Sequence, residues 1–86
     1  MSDAPNVRFD IASFGELLSD PSRVAMLLSL MNGLTRPATE LADIAGVSQA
    51  TASAHLKKLL GGSLVRVEQR GRQRYFQLAG TQVADA

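Results

Sequence analysis

The chain has no cysteine and no tryptophan, and it carries one histidine, one tyrosine and three phenylalanines in 86 residues. Without cysteine there are no disulfides, no thiolate metal sites, no thiol redox sensing and no cysteine nucleophile. A lone imidazole, His55, cannot assemble a zinc site by itself. The sequence also lacks a glycine-rich phosphate loop and a pair of carboxylates on one helix face, so nothing in it supports an enzyme. Its apolar runs are far shorter than the roughly 20 residues of a membrane span. Its first residues lack the pattern of a secretory signal. The reading is a cytoplasmic, non-membrane chain with no catalytic residues, no cofactor and no metal site.

What is present fits one small globular domain, with 45% apolar and 20% charged residues. At this size burial on folding is limited, and association with a second copy would add to it. The net charge of +1 conceals an asymmetry. Residues 1–47 hold six acidic and three basic side chains. Residues 48–78 hold Lys57, Lys58, Arg66, Arg70, Arg72 and Arg74 against Glu68 alone. Such a concentration is the electrostatic footprint of a surface that meets a polyanion.

The stretch 39–60 organises the chain. Leu41, Ala42, Ile44 and Ala45 recur at helical spacing and define an apolar face. Gly46 suits a helix stop, because glycine adopts left-handed backbone without a Cβ clash. Val47 is placed between the helices. Ser48 is suited to cap a second helix. Ala52, Leu56 and Leu59 form that helix's buried stripe. Two helices joined by a glycine-containing turn make a helix-turn-helix. The outer side of the second helix carries Ala50, Ala54 and Lys57, flanked by Thr51, Ser53 and Lys58. Small residues let a helix backbone approach base edges, hydroxyls can bond them, and lysines can meet phosphates. An ordinary solvated helix face could have the same composition, since Ala and Lys are good helix formers. The flanking segments weigh against that.

Residues 1–8 read as a flexible arm. Residues 9–18 read as a helix with Ile11, Phe14, Leu17 and Leu18 in one stripe, which can either cover the core or form a subunit interface. Asp20 and Pro21 fit the cap and first turn of a helix over 21–31. In it Val24, Leu27, Leu28 and Met31 are expected to face inward, with Arg23 on the flank and Met26 as core filler. Asn32 and Gly33 stop that helix, and 34–38 reads as a linker with Pro37 barring a continuous helix. After 61–63, residues 64–69 alternate as a half-buried strand, 70–72 form a turn, and 73–78 return as a second strand with Phe76 and Leu78 on one face. Basic hairpin tips are common for solubility alone. This one follows a helix-turn-helix and reads as a wing along a DNA backbone or minor groove. The fold class is therefore mainly α with a small β-hairpin, a winged helix-turn-helix of order α-α-α-α-β-β spanning 9–80. Residues 81–86 are expected to begin a C-terminal helix that is short or truncated.

The segments LLSDPSRVAMLLSLMNG (17–33), ATELADIAGVSQATASAHLKKL (38–59) and LVRVEQRGRQRYFQL (64–78) together resemble the ArsR/SmtB family of bacterial winged-helix regulators. The resemblance rests on Asp20-Pro21-Ser22-Arg23, on Glu40-Leu41-Ala42, and on Ser48-Gln49, Ser53 and His55-Leu56 of the second helix. A wing of Gln69-Arg70-Gly71-Arg72 followed by Phe76-Gln77-Leu78 completes it. It covers about four fifths of the chain. It implies a homodimeric repressor that binds double-stranded DNA and leaves its operator when an inducer binds. By position it implies base reading by Gln49, Ala50, Ser53 and Ala54, with Thr51 beside them. Phosphate and wing contacts would fall to Ser48, Lys57, Lys58, Arg70, Arg72 and Arg74. Phe9, Ile11, Phe14, Leu17 and Leu18 would form the subunit interface. Alanine at 50 and 54 implies few direct hydrogen bonds to bases, so readout would rest on thymine methyls or DNA shape. The family's cysteine metal-site signature is missing, and so are its paired sensing cysteines and the histidine and acidic ligands of its last helix. No inducer is assigned. His55 flanks the buried stripe and is expected to pack at the helix edge, bonding backbone or phosphate. The alternative function is a winged-helix protein-interaction module without specific DNA binding.

Overall fold

The computed structural model describes residues 11–80, the side chains of Ile11 and Ser13 excepted. The arm over 1–8 and the C-terminal helix expected over 81–86 lie outside the described residues. Helix α1 spans Ile11–Leu17, α2 Pro21–Ser29, α3 Ala38–Ala45 and α4 Gln49–Gly61. A short 3₁₀ turn, Met31–Gly33, follows α2. Strands β1 (Arg36–Pro37), β2 (Val65–Arg70) and β3 (Gln73–Leu78) form one antiparallel sheet in the order β1-β3-β2. No helix among the described residues is long and apolar enough to cross a membrane.

Local chemistry sets the helix ends. Asp20 is extended and its carboxylate accepts the Ser22 backbone N–H at 2.8 Å, with Pro21 in the first turn of α2. The cap holds the Asp20 carboxyl below the usual carboxylate range. The Ser22 amide contributes most, desolvation opposes it, and His55, when protonated, and Arg23 add favourable charge. Gly46 ends α3 in left-handed backbone at φ 70°, and the N–H of Val47 returns to the Ala42 carbonyl at 3.0 Å. Ser48 caps α4 by accepting the Thr51 N–H at 3.1 Å.

The core gathers Leu17, Met26, Leu30, Leu41, Ala42, Ala52, Leu56, Leu59, Val65 and Phe76. The expected α4 stripe of Ala52, Leu56 and Leu59 is the buried one, and Met26 is core as expected. Helix α2 corrects the sequence reading. Its inward face is Arg23, Met26 and Leu30, while Leu28 and Met31 are exposed and Val24 and Leu27 are half-buried. Leucine and methionine supply two possible stripes on this helix, and hydropathy alone does not choose between them. The choice falls to Arg23, which is 5% exposed instead of lying on the flank.

The Arg23 guanidinium donates from Nε to the Leu17 carbonyl at 2.8 Å and from Nη2 to the Glu16 carbonyl at 3.0 Å. These are last-turn carbonyls of α1 that have no partner within that helix. Arg23 therefore fastens α1 to α2 and turns α2 to the observed phase. Leu17 is carried into the core by the same arrangement. It packs so close to Gly62, at the end of α4, that any side-chain carbon at position 62 would collide with it.

The expected linker contains a strand. Arg36 and Pro37 pair with Phe76 and Tyr75 on the free edge of β3. Proline is tolerated at such an edge because its missing N–H is not needed there. Arg36 also donates from Nε to the Ser29 carbonyl at the end of α2, at 3.0 Å, and pairs with Glu40 at 2.7 Å. Ile44, expected on the apolar face of α3, is 41% exposed, and Leu41 with Ala42 carries the burial. The hairpin turn is two residues long, since Arg70 pairs with Gln73 as part of β2.

Candidate nucleic-acid interface

Helix α4 has two faces with different tasks. Burying Ala52, Leu56 and Leu59 leaves Gln49, Ala50, Thr51, Ser53, Ala54, Lys57 and Lys58 exposed. Ala50 and Ala54 leave this face low, so its relief comes from Gln49 and the hydroxyls at its start. Ser48 and Thr51 are tied together: the Ser48 hydroxyl donates to Thr51 Oγ1 at 3.1 Å while it caps the helix. Ser48, assigned by sequence to phosphate, thus first holds the N-terminal turn in shape.

The hairpin divides its arginines by strand alternation. Residues 65, 67 and 69 of β2 share a side with their cross-strand neighbours 78, 76 and 74 of β3. Val65 and Phe76 on that side are buried against the helices. Arg74 shares it one step further out. It lines a groove of about 450 Å³ with Ser53, Ala54 and Lys57 of α4, over a floor that includes Leu56 and Phe76. An adjoining cleft of about 380 Å³ joins Arg72 and Arg74 to Ala38 and Thr39 at the start of α3. Arg74 therefore opens on the same side as the exposed face of α4, and Arg72 lies in the adjoining cleft beside the start of α3.

Arg70 differs from the other two. Its guanidinium lies 4.7 Å from the Tyr75 ring centroid and 3.3 Å from Glu68, on the opposite side of the hairpin. Arg66 is bonded to Gln77 on that side too. The structure thus gathers Arg74 with the helix, sets Arg72 in the adjoining cleft and holds Arg70 against Tyr75.

The subunit-interface residues also divide. Phe14 is 48% exposed and Leu18 is half-buried. Leu17 is 8% exposed within its own chain, so its side chain belongs to the core and not to a contact surface. Phe9 and the side chain of Ile11 lie outside the described residues.

His55 packs at the edge of α4 as expected, but its partners within the chain are side chains and not backbone. Its Nδ1 accepts from Arg23 Nη1 at 3.1 Å, and its Nε2 stands 3.8 Å from Asp20 Oδ2. Arginine has no acceptor, so Nδ1 is unprotonated in this contact. Sequence reasoning missed the link. Its one available signal was that Asp20, Arg23 and His55 all sit in the motifs that carry the family resemblance. Among the described residues no group of three or more His, Asp or Glu side chains could hold a metal ion.

A three-stranded sheet behind a helix-turn-helix, with a basic hairpin beside the second helix, defines the winged helix-turn-helix class. A "Helix-turn-helix domain" family model matches residues 18–68. The uncharacterized HTH-type transcriptional regulator YdfF of Bacillus subtilis is 51% identical over 76 residues, which are 88% of this chain and 34% of that protein. The HTH-type transcriptional regulator CmtR of Mycobacterium tuberculosis is 36% identical, over 88% of this chain and 64% of CmtR. Among solved structures, the homodimeric winged helix-turn-helix DNA-binding domain (fragment 1–100) of Mycobacterium bovis Mb0332, a possible ArsR-family transcriptional regulator, matches with a TM-score of 0.80. It is 32% identical and the match covers 99% of this chain and 79% of that one. The chain belongs to the ArsR/SmtB-type winged helix-turn-helix transcriptional regulators. It spans about a third of YdfF and just under two thirds of CmtR.

Proposed function

We propose that this chain binds double-stranded DNA as a transcriptional repressor, acting as a homodimer on an inverted-repeat operator. One observation carries the reading: the exposed face of α4 and the wing arginine Arg74 open on one groove, with Arg72 in the cleft that adjoins it. With α4 in the major groove, Gln49, Ala50, Thr51, Ser53 and Ala54 meet base edges. Lys57, Lys58, Arg72 and Arg74 meet phosphates, with Ser48 at the helix start. Arg70 flanks that surface and reaches DNA only by leaving Tyr75. The likeness to a homodimeric DNA-binding domain supports pairing, and the exposed Phe14 with the half-buried Leu18 of α1 offers an apolar side for it. The reading involves no catalytic step and places the chain in the cytoplasm with chromosomal DNA. Metal sensing is not part of it, since the chain has no cysteine and only one histidine.

The test is a selection from random duplex DNA. It should recover two inverted half-sites with centres about 34 Å apart, one helical turn. Recovery of no common site, with binding equal on all duplexes, overturns sequence-specific repression. No binding at low salt overturns DNA as the ligand and leaves a protein partner.

A further inference from the structure

The Arg23 guanidinium spans three elements: it caps α1, belongs to α2 and ends on His55 of α4. His55 is the chain's only histidine, and its side chain is 13% exposed. We propose that neutral His55 is a positioning residue for DNA readout: it fixes the register of α4 against α1 through Arg23, and protonation of this one imidazole releases that register. The proposal rests on the DNA-binding reading above.

The geometry gives the direction. Nδ1 can accept from Arg23 only while it lacks a proton. A second proton on the ring turns that acceptor into a donor and sets two cations 3.1 Å apart. Asp20, 3.8 Å from Nε2, offsets part of this charge. Among the described residues the charged groups facing the ring are Arg23 and Asp20, and Lys58 one turn along α4 is exposed. Asp20 stays ionised as histidine titrates, because its carboxyl is held low by its helix cap. The α1 carbonyls of Glu16 and Leu17 reach His55 through Arg23. Loss of the Arg23–His55 bond leaves Leu17, packed against Gly62 and sharing the core with Leu56 and Leu59, as the remaining described contact between α1 and α4, so α4 can pivot about that contact without exposing the core.

This mechanism opposes simple electrostatics. Acidification adds positive charge, which by itself tightens binding to any DNA. A loosened recognition helix instead loses discrimination, because phosphate contacts tolerate a shift that base contacts do not. The two effects separate in the ratio of affinities for the selected duplex and a scrambled duplex of equal length.

The experiment measures both affinities by fluorescence anisotropy at fixed salt, from about pH 8 to about pH 5.5, the range in which histidine ordinarily changes charge. NMR follows the single imidazole in the same samples without DNA. The specificity ratio should fall about tenfold on acidification, about 1.4 kcal/mol, with scrambled-duplex affinity level or rising. The amides of Leu18 and Ser19, next to the capped carbonyls, should titrate with the same midpoint as the ring. His55→Asn keeps an acceptor near the Nδ1 position and does not titrate, so it should hold a constant ratio across the range. A constant wild-type ratio, or amides at the end of α1 that ignore the ring's titration, overturns the proposal. A His55→Asn ratio that falls as steeply as wild type does so too. Equal binding of both duplexes at every pH overturns the sequence-specific reading instead, and the NMR co-titration then judges the Arg23–His55 linkage alone.

Discussion

Replacing Arg23 with methionine tests the central packing argument without reference to DNA. Methionine keeps most of the buried volume and removes three donors. The Glu16 carbonyl keeps other partners, the Ser19 N–H at 3.2 Å and the Ser19 hydroxyl at 2.7 Å. The Leu17 carbonyl and His55 Nδ1 lose the donors that Arg23 supplies, at 2.8 and 3.1 Å. Leaving a buried acceptor unpaired costs about 1–3 kcal/mol. Removing a buried guanidinium returns part of this, since its desolvation is no longer needed. The net expectation is a loss of about 2–4 kcal/mol. For a domain of this length each kcal/mol moves the melting temperature by roughly 4–8 °C, so Tm should drop by roughly 8–32 °C. The assay is thermal unfolding by circular dichroism at one fixed protein concentration, because any self-association makes Tm depend on concentration. Arg23→Lys retains the charge but presents a point donor and not a fork, so it should recover only part of the loss. The exposed Arg74→Met is the control and should stay within about 0.5 kcal/mol of wild type. An Arg23→Met protein that melts within about 4 °C of wild type would refute the claim that Arg23 fastens α1 to the rest of the fold.

Arg72→Ala should weaken binding to all duplexes alike and reduce the slope of log K against log salt by about 0.9, as one phosphate contact is lost; anisotropy across a salt series measures both. Ser53→Ala should leave the salt slope unchanged and alter preference among sites by up to about 1–3 kcal/mol, and equal loss on every sequence would contradict a base-reading role. Gly46→Ala meets no steric obstacle, yet forces a Cβ into left-handed backbone at φ 70°, and should cost about 1–2 kcal/mol by chemical denaturation. Asp20→Asn should lower Tm at neutral pH and flatten the acid limb of stability. A carboxyl whose folded pKa is depressed stabilises the fold above its unfolded value and loses that stabilisation as pH falls through the folded one.

Residues whose role follows from local chemistry were legible in the sequence. Asp20, Gly46 and Ser48 mark helix ends because their side chains, or the lack of one, act within a few residues. The α4 stripe was legible because the large Leu56 and Leu59 fall in line with Ala52, while the opposite side offers only the small Ala50 and Ala54 among polar residues. Helix α2 was not, because it is apolar nearly all round. Its phase is decided by Arg23 bonding carbonyls six and seven residues back and an imidazole 32 residues on. The strand at Arg36 and Pro37 was hidden for a similar reason. Two residues hold no periodicity, and they become a strand only because β3 offers them an open edge. At the site, the exposed face of α4 was predictable from its periodicity. The division of the wing arginines was not, since it depends on which residue of β2 stands opposite which residue of β3.

That register has a functional consequence. With Glu68 opposite Tyr75, Arg70 finds an aromatic face and a carboxylate on its own side of the hairpin. Such a contact contributes about 0.5–1 kcal/mol at an exposed site, enough to hold the side chain but not to lock it. Arg72 and Arg74 have helix residues and not an anion beside them in their clefts. The wing is therefore graded: Arg74 already faces the side that α4 presents, Arg72 lies in the adjoining cleft, and Arg70 can be recruited at modest cost. A one-residue slip of the hairpin would exchange the two sides, carrying Arg74 away from Lys57 and Phe76 out of the core. Burial of Phe76, at 1% exposure, prevents that slip. The residue that stabilises the sheet is thus the one that aims its charge.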